Sequence, residues 1–457
     1  EESDVFNFGG HLEYDFTDAV TGSVDVGYLS EERKGVYVGY FHPTNYQPQP
    51  GKRLPAYNVP VNSDDDNERL DLSADLRYMA TDTLDLKARV YWSSYEKRNT
   101  TTAKEYADMG YAAEKDSAAS GMNADVDIVV GELTATWMPV DAHLVTGGVE
   151  YRDENRKATV FRQGSGMSEK SVYYQAAYLQ DEWSVTDALD LILGTRYDTI
   201  SNADDKATFR IGALYTFSEA LRVRANFAQG YRTPDIRELY IFKNTPNGLQ
   251  VGADVMGYDL KPEETDAYEA ALAGRWKAFD YEVVAFYNDV ENMIQQVVRP
   301  YGTNPRAHTF ENIGDAKTYG LETSVGYRFD DTFHLGLYWS ELRTENEQTD
   351  KDLPFNPERT VMATLDYAPT SGLNLAISGR YVGEQYYMQI ENRGAPTESQ
   401  RWSKTDDYTV VDVSASWRWS EEIELFAGVD NVFDEKVDDV LGSSVGPFIY
   451  GGVRMKL

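Results

Sequence analysis

The 457-residue sequence contains no cysteine, which excludes disulfides, thiolate metal sites and cysteine nucleophiles. Histidine is scarce, with only His11, His42, His143, His308 and His334. No apolar run approaches the roughly 18 residues of a membrane helix. Residues 1–20 show neither the basic n-region nor the apolar h-region of a signal peptide. Positive charge is also in deficit: 43 Lys and Arg face 76 Asp and Glu, for a formal charge of −33. Nucleic acid is thereby excluded as a default partner, because binding phosphates calls for a basic face. No H-E-x-x-H pair occurs, so the chain reads as a non-enzyme.

Aromatic residues are plentiful, with 33 Tyr, 18 Phe and 8 Trp spread along the chain. Disorder does not fit that composition. Leu70, Leu72, Ala74, Leu76 and Tyr78 alternate with Asp71, Ser73, Asp75 and Arg77. The stretches 84–92, 221–227 and 411–419 repeat the pattern. A period of two means strands with one apolar and one polar face. Many of these strands reach the roughly 9–11 residues that a tilted membrane strand needs.

Connections alternate between short and long. Nine short turns carry small polar residues between apolar anchors, among them Thr17-Asp18-Ala19, Thr81-Asp82-Thr83 and Thr186-Asp187-Ala188. Long connections are expected near 32–66, 98–123, 157–170, 232–264, 300–317, 343–357 and 383–407. Short turns at one end and long loops at the other describe an outer-membrane antiparallel β-barrel with periplasmic turns and extracellular loops. Trp92, Trp137, Trp183, Trp417 and Trp419 are expected near strand ends, in an aromatic girdle. The nine turns join eighteen strands, and Phe448 to Leu457 adds a nineteenth. Single-chain bacterial barrels have even counts. The expectation is therefore one β-barrel domain over residues 1–457, with strands missing before it.

Motifs in the second half resemble those of the TonB-dependent outer-membrane receptors. Gly230-Tyr231-Arg232-Thr233-Pro234-Asp235-Ile236-Arg237-Glu238-Leu239-Tyr240 is similar to that family's G-[FY]-R-x-P-x-x-x-E-L-Y box. Asp259-Leu260-Lys261-Pro262-Glu263 resembles its N-x-x-L-K-P-E box, and Tyr268-Glu269 its YE position. Asn312-Ile313-Gly314, followed by Gly320-Leu321-Glu322, resembles its N-x-G strand. Asn431-Val432-Phe433-Asp434 resembles the segment before its last strand. The resemblance implies a 22-stranded barrel filled by an N-terminal plug, so that 19 strands are present here and the plug and first strands are missing. It implies nutrient uptake driven by TonB through that plug, with outer-membrane lipid and lipopolysaccharide as surroundings.

For cargo, a ferric siderophore is the first reading and cobalamin or another metal chelate the second. A passive porin or an adhesin is the competitor from another class. The candidate substrate-binding residues are Tyr231, Arg232, Arg237, Tyr240, Phe242 and Tyr258. Pro234, Leu260 and Pro262 are read as shaping the loop. Haem is disfavoured, because no histidine lies between Tyr231 and His308. Residues 235–264 net −3 by count, which steers an anion poorly. The run Asp64-Asp65-Asp66 is a candidate Ca²⁺ site if it lies in a flexible loop offering several oxygens.

Overall fold

A computed structural model describes residues 2–40, 58–102, 118–120, 122–161, 166–245, 248–391, 399–442 and 446–456. Alternation turns directly into strands. The first half of the chain supplies β1 (Glu2–Thr17), β2 (Val20–Tyr40), β3 (Asn58–Thr81), β4 (Leu84–Thr102), β5 (Ala118–Ser120), β6 (Ala124–Val140), β7 (His143–Ala158), β8 (Ser168–Thr186), β9 (Leu189–Ile200), β10 (Lys206–Ser218) and β11 (Leu221–Arg232). The second half supplies β12 (Phe242–Thr245), β13 (Gly248–Val251), β14 (Glu263–Trp276), β15 (Phe279–Tyr301), β16 (Asn304–Arg328), β17 (Phe333–Asn346), β18 (Arg359–Thr370), β19 (Leu373–Val382), β20 (Tyr386–Glu391), β21 (Ser399–Lys404), β22 (Tyr408–Arg418), β23 (Ile423–Asp430) and β24 (Phe448–Met455).

One sheet holds 22 strands, and β20 and β21 form a separate hairpin. Three members of the large sheet, β5, β12 and β13, are short strands of 3 or 4 residues in the long connections. The other nineteen form a single antiparallel meander, each pairing with its predecessor in the wall. That equals the strand count read from the turns, and all nine short turns fall between wall strands. Among the described residues β1 pairs only with β2 and β24 only with β23, so these two strands are the edges of the meander.

Two rows of rings mark the membrane boundaries. Phe227, Tyr268, Tyr287 and Tyr319 are register neighbours on β11, β14, β15 and β16, with centroids 5.0, 6.2 and 6.3 Å apart. Beside the turns lies a second row, where Trp276, Phe279, Tyr327 and Phe329 are spaced 6.5, 4.4 and 4.6 Å. Eight residues separate the rows on each of β14, β15 and β16. At about 3.3 Å per residue and a tilt of about 40°, this is roughly 20 Å across the bilayer, near the ~25 Å apolar band of such barrels. Between the rows Leu272, Val283, Thr323 and Trp339 share one face through their register. The neighbouring register row, on the opposite face, is Arg224, Ala271, Val284, Glu322 and Ser340. The inner wall near the turns encloses a cavity of about 860 Å³, lined by Arg222, Arg224, Arg275, Asp280, Glu282 and Ser324 among others.

Several expectations need correction. The 300–317 connection is not a loop: β15 and β16 run through it and meet at Gly302, where φ is +57°. Within 32–66, β2 continues to Tyr40 and β3 begins at Asn58. Within 98–123, β4 continues to Thr102, so Trp92 lies inside a 19-residue strand and not at its end. Outside the bilayer both strand faces meet water, so alternation no longer signals the strand. His42 and residues 41–57 lie outside the described residues.

The loop platform as candidate functional site

Buried apolar residues gather at the extracellular end, in three clusters around the connection between β11 and β14. In the first, Ile236 packs with Ala158, Phe161, Val172 and Ile200. The second joins Leu239, Ala253 and Leu260 to Ile294 of β15. The third joins Leu249 and Val251 to Ala307 of β16. The connection is thus a packed platform lying against neighbouring strands.

Its sequence explains its path. Pro234 and Pro262, both fully buried, stand at the two legs, where a residue without an N–H ends ladder pairing at no cost. Asp235 caps the helical turn Ile236–Tyr240, and Glu238 returns the bond to the Asp235 N–H at 2.8 Å, completing a capping box. A second turn, Ala253–Met256, closes at Gly257 in the left-handed region with φ +79°. At Gly252 a Cβ would lie 2.2 Å from the Leu239 carbonyl oxygen, so only glycine lets the two turns approach.

The other motifs are joints of the same assembly. Asn312 donates to the carbonyls of Lys261 at 3.0 Å and Asn292 at 2.6 Å, and accepts the Lys261 N–H at 2.8 Å. Asp315 accepts the Asn292 N–H at 3.2 Å. Glu269 accepts from Arg224 Nε at 2.9 Å and Asn226 Nδ2 at 3.1 Å.

Each candidate binding residue now has a place. Tyr231 packs on the first cluster and lies near the buried Asp198 carboxylate. Arg232 is engaged by Glu263 and Glu238. Arg237 is exposed and donates to Gln250 Oε1 at 3.3 Å. Tyr240 is half-buried between two clusters, and Lys170 of β8 stands over its ring at 4.2 Å. Burial, then Asp254, pushes the Tyr240 phenol above its ordinary value. Phe242 meets Tyr301 edge-on at 5.8 Å, and Tyr258 packs on the second cluster. Lys243 is half-buried, and this burial, with Arg237 nearby, lowers its ammonium below the ordinary lysine value.

The expected placement of Asp64, Asp65 and Asp66 in a flexible loop is corrected. They lie inside β3, where neighbouring side chains point to opposite faces. Asp65 accepts from Asn99 Nδ2 at 2.9 Å and sits 3.9 Å from Lys97. Among the described residues no group of three or more His, Cys, Asp or Glu converges to hold a metal.

The charge of the platform differs from its count. Asp235 pairs with Arg156, Glu238 and Glu263 with Arg232, and Glu264 with Lys206. Those three cations lie outside residues 235–264, so the segment's −3 is offset from neighbouring strands, with Arg156 shared between Asp235 and Glu154. Lys170 over the Tyr240 ring adds a further cation from outside the segment. Among the described residues Lys170, Arg237 and Lys243 form no ion pair, unlike Arg196, Arg224, Arg232 and Arg299. Lys170 was invisible to sequence reasoning, since nothing local marks it. Tyr301 and Phe310 were hidden in the stretch read as loop.

A wall of nineteen long antiparallel strands with two ring belts, short turns at one end and an ordered loop platform at the other defines an outer-membrane β-barrel receptor domain. The protein-family model for the TonB dependent receptor-like β-barrel matches residues 6–432. The chain belongs to the TonB-dependent receptor family, as its outer-membrane β-barrel domain, and that family comprises receptors of Gram-negative bacteria, not enzymes. It is 25% identical over 317 residues to the iron-regulated outer membrane virulence protein of Vibrio cholerae serotype O1, covering 66% of this chain and 47% of that protein. It is 26% identical over 346 residues to the rhizobactin receptor of Rhizobium meliloti, covering 72% and 41%. The chain therefore spans less than half the length of these curated relatives. The crystal structure of the siderophore receptor PirA from Acinetobacter baumannii superposes with a TM-score of 0.75 at 17% identity, covering 99% of this chain and 71% of that one.

Proposed function

We propose that this barrel belongs to a receptor that captures an anionic ferric siderophore at the loop platform and takes it up with energy delivered through TonB. The observation that carries the reading is three cations of the platform region that form no ion pair among the described residues: Lys170, over the Tyr240 ring at 4.2 Å, and Arg237 and Lys243, which lie near each other. A partly desolvated ammonium gains more from an anion than a hydrated one does. Cations meet the negative charge of such a chelate, and the rings beside them can pack against its catechol rings. The siderophore and iron receptors among the relatives support the same class.

The test is equilibrium binding to the receptor purified from cells expressing its complete gene, followed by tryptophan quenching. The probes are a ferric tris-catecholate, a ferric tris-hydroxamate and cyanocobalamin. The anionic tris-catecholate should bind tightest, and Lys243→Ala should weaken it about tenfold, or ~1.4 kcal/mol. Equal affinity for the neutral chelates, or no effect of the substitution, would overturn the reading.

A further inference from the structure

Arg232 looks like a ligand-binding cation in the sequence, but its donors are already committed. An arginine has five N–H donors in a fixed fork. Four hydrogen bonds leave this one: Nε and Nη2 donate to Glu263 at 2.7 and 2.8 Å, and Nη1 and Nη2 donate to Glu238 at 3.0 and 3.2 Å. The two carboxylates are themselves tied to backbone. Glu263 Oε1 accepts the Ile294 N–H at 2.6 Å, and Glu238 Oε2 accepts the Asp235 N–H at 2.8 Å. One guanidinium thus joins the end of β11, the helical turn Ile236–Tyr240, the start of β14 and the middle of β15. Both legs of the platform leave the wall at this joint.

We propose that Arg232 is a positioning residue, which locks the two legs of the connection, at residues 233–245 and 248–262, against β15 so that cargo meets a platform assembled beforehand. The proposal rests on the reading of the platform as the cargo site. It follows that this connection does not fold over the cargo on binding. A lysine cannot take its place, because a single ammonium does not span two carboxylates bidentately.

The experiment pairs two measurements on the receptor expressed from its complete gene. Hydrogen exchange without cargo reads the order of 233–262, and ferric tris-catecholate affinity reads the site. Heat-modifiable gel migration checks that each variant has assembled, and Arg232→Lys serves if Arg232→Met does not. In either variant, exchange across 233–262 should rise on the order of tenfold or more, and affinity should fall with it. Lys243→Ala should lower affinity while exchange stays as in the native protein. Lost affinity with unchanged exchange in Arg232→Met would overturn the proposal, because Arg232 would then touch the cargo. So would unchanged exchange with unchanged affinity. Raised exchange with unchanged affinity would overturn positioning for cargo. If Lys243→Ala also bound normally, the cargo reading of the platform would fall separately.

Discussion

Replacing Leu272 with arginine tests the assignment of faces on which the whole reading depends. Leu272 lies midway between Tyr268 and Trp276, the two belts on β14, and is 48% exposed on the outer surface of the wall. Half of a leucine's ~180 Å² is roughly 90 Å², which at ~25 cal/mol per Å² is about 2 kcal/mol of transfer into lipid. An arginine at the bilayer midplane costs a further ~2–4 kcal/mol. Leu272→Arg should therefore destabilise the barrel by about 4–6 kcal/mol. Ser324 is the control. It lies at a similar depth on β16 but lines the inner cavity with Glu282, its register partner on β15. Ser324→Arg places its charge in a polar lumen beside a carboxylate and should cost under ~1 kcal/mol. Urea unfolding of the receptor in lipid vesicles, followed by tryptophan emission, measures both. Equal costs for the two variants, or a cost under ~1 kcal/mol for Leu272→Arg, would mean that the faces are reversed or that the belts do not bound a bilayer.

Three further outcomes are expected. Gly252→Ala should lift the helical turns apart, because its Cβ would meet the Leu239 carbonyl at 2.2 Å; an overpacking cost of ~1–3 kcal/mol would appear as faster hydrogen exchange at 236–260, and native exchange there would refute the close approach. Lys243 has a folded pKa held below 10.5 by burial and then by Arg237. A bound anion restores the proton, so affinity for an anionic chelate should decline as pH rises from neutral toward 10.5, and Lys243→Arg should flatten that decline; a profile identical in both would refute the role. Glu358 is opposed by burial, but Arg343 and Lys404 outweigh it and hold its carboxyl below 4.5. Its folded pKa lies below the unfolded one, so its stabilisation is present above 4.5 and lost as pH falls through the lowered value. The group is 38% exposed, so the effect is at most about 0.5 kcal/mol after screening. Protection factors in the β20–β21 hairpin, corrected for the intrinsic slowing of amide exchange in acid, should fall about twofold at acid pH, and Glu358→Gln should remove that change.

The parts of this chain that were legible and those that were not divide along the membrane boundary. Leu70 to Tyr78 announces a strand because one face meets lipid and the other the lumen. The same strand continues upward through Asn62 to Glu68, yet those residues are polar on both faces and gave no such signal. The hairpin of β15 and β16 was missed above the belt for the same reason, and with it the packing partners Tyr301 and Phe310. The boxes around Pro234, Pro262 and Asn312 could be recognised but not interpreted. Their work is done across long gaps in sequence, as when Asn312 holds Lys261, 51 residues away.

Charge misled for a related reason. Counting residues 235–264 treats the segment as its own environment. Its neutralising cations come from β7, β10 and β11, as Arg156, Lys206 and Arg232, and its extra cation, Lys170, comes from β8. Each lies on a strand that passes beneath the platform. The sign of the field that an arriving ligand meets is therefore set by strand order in the wall, not by the composition of the loop. Exchanging loop sequences between related barrels without their underlying strands should then fail to transfer ligand preference. A chimera carrying 233–262 of this chain on a relative lacking a cation at the position of Lys170 should bind the anionic chelate more weakly than this receptor, and restoring a lysine there should recover the difference.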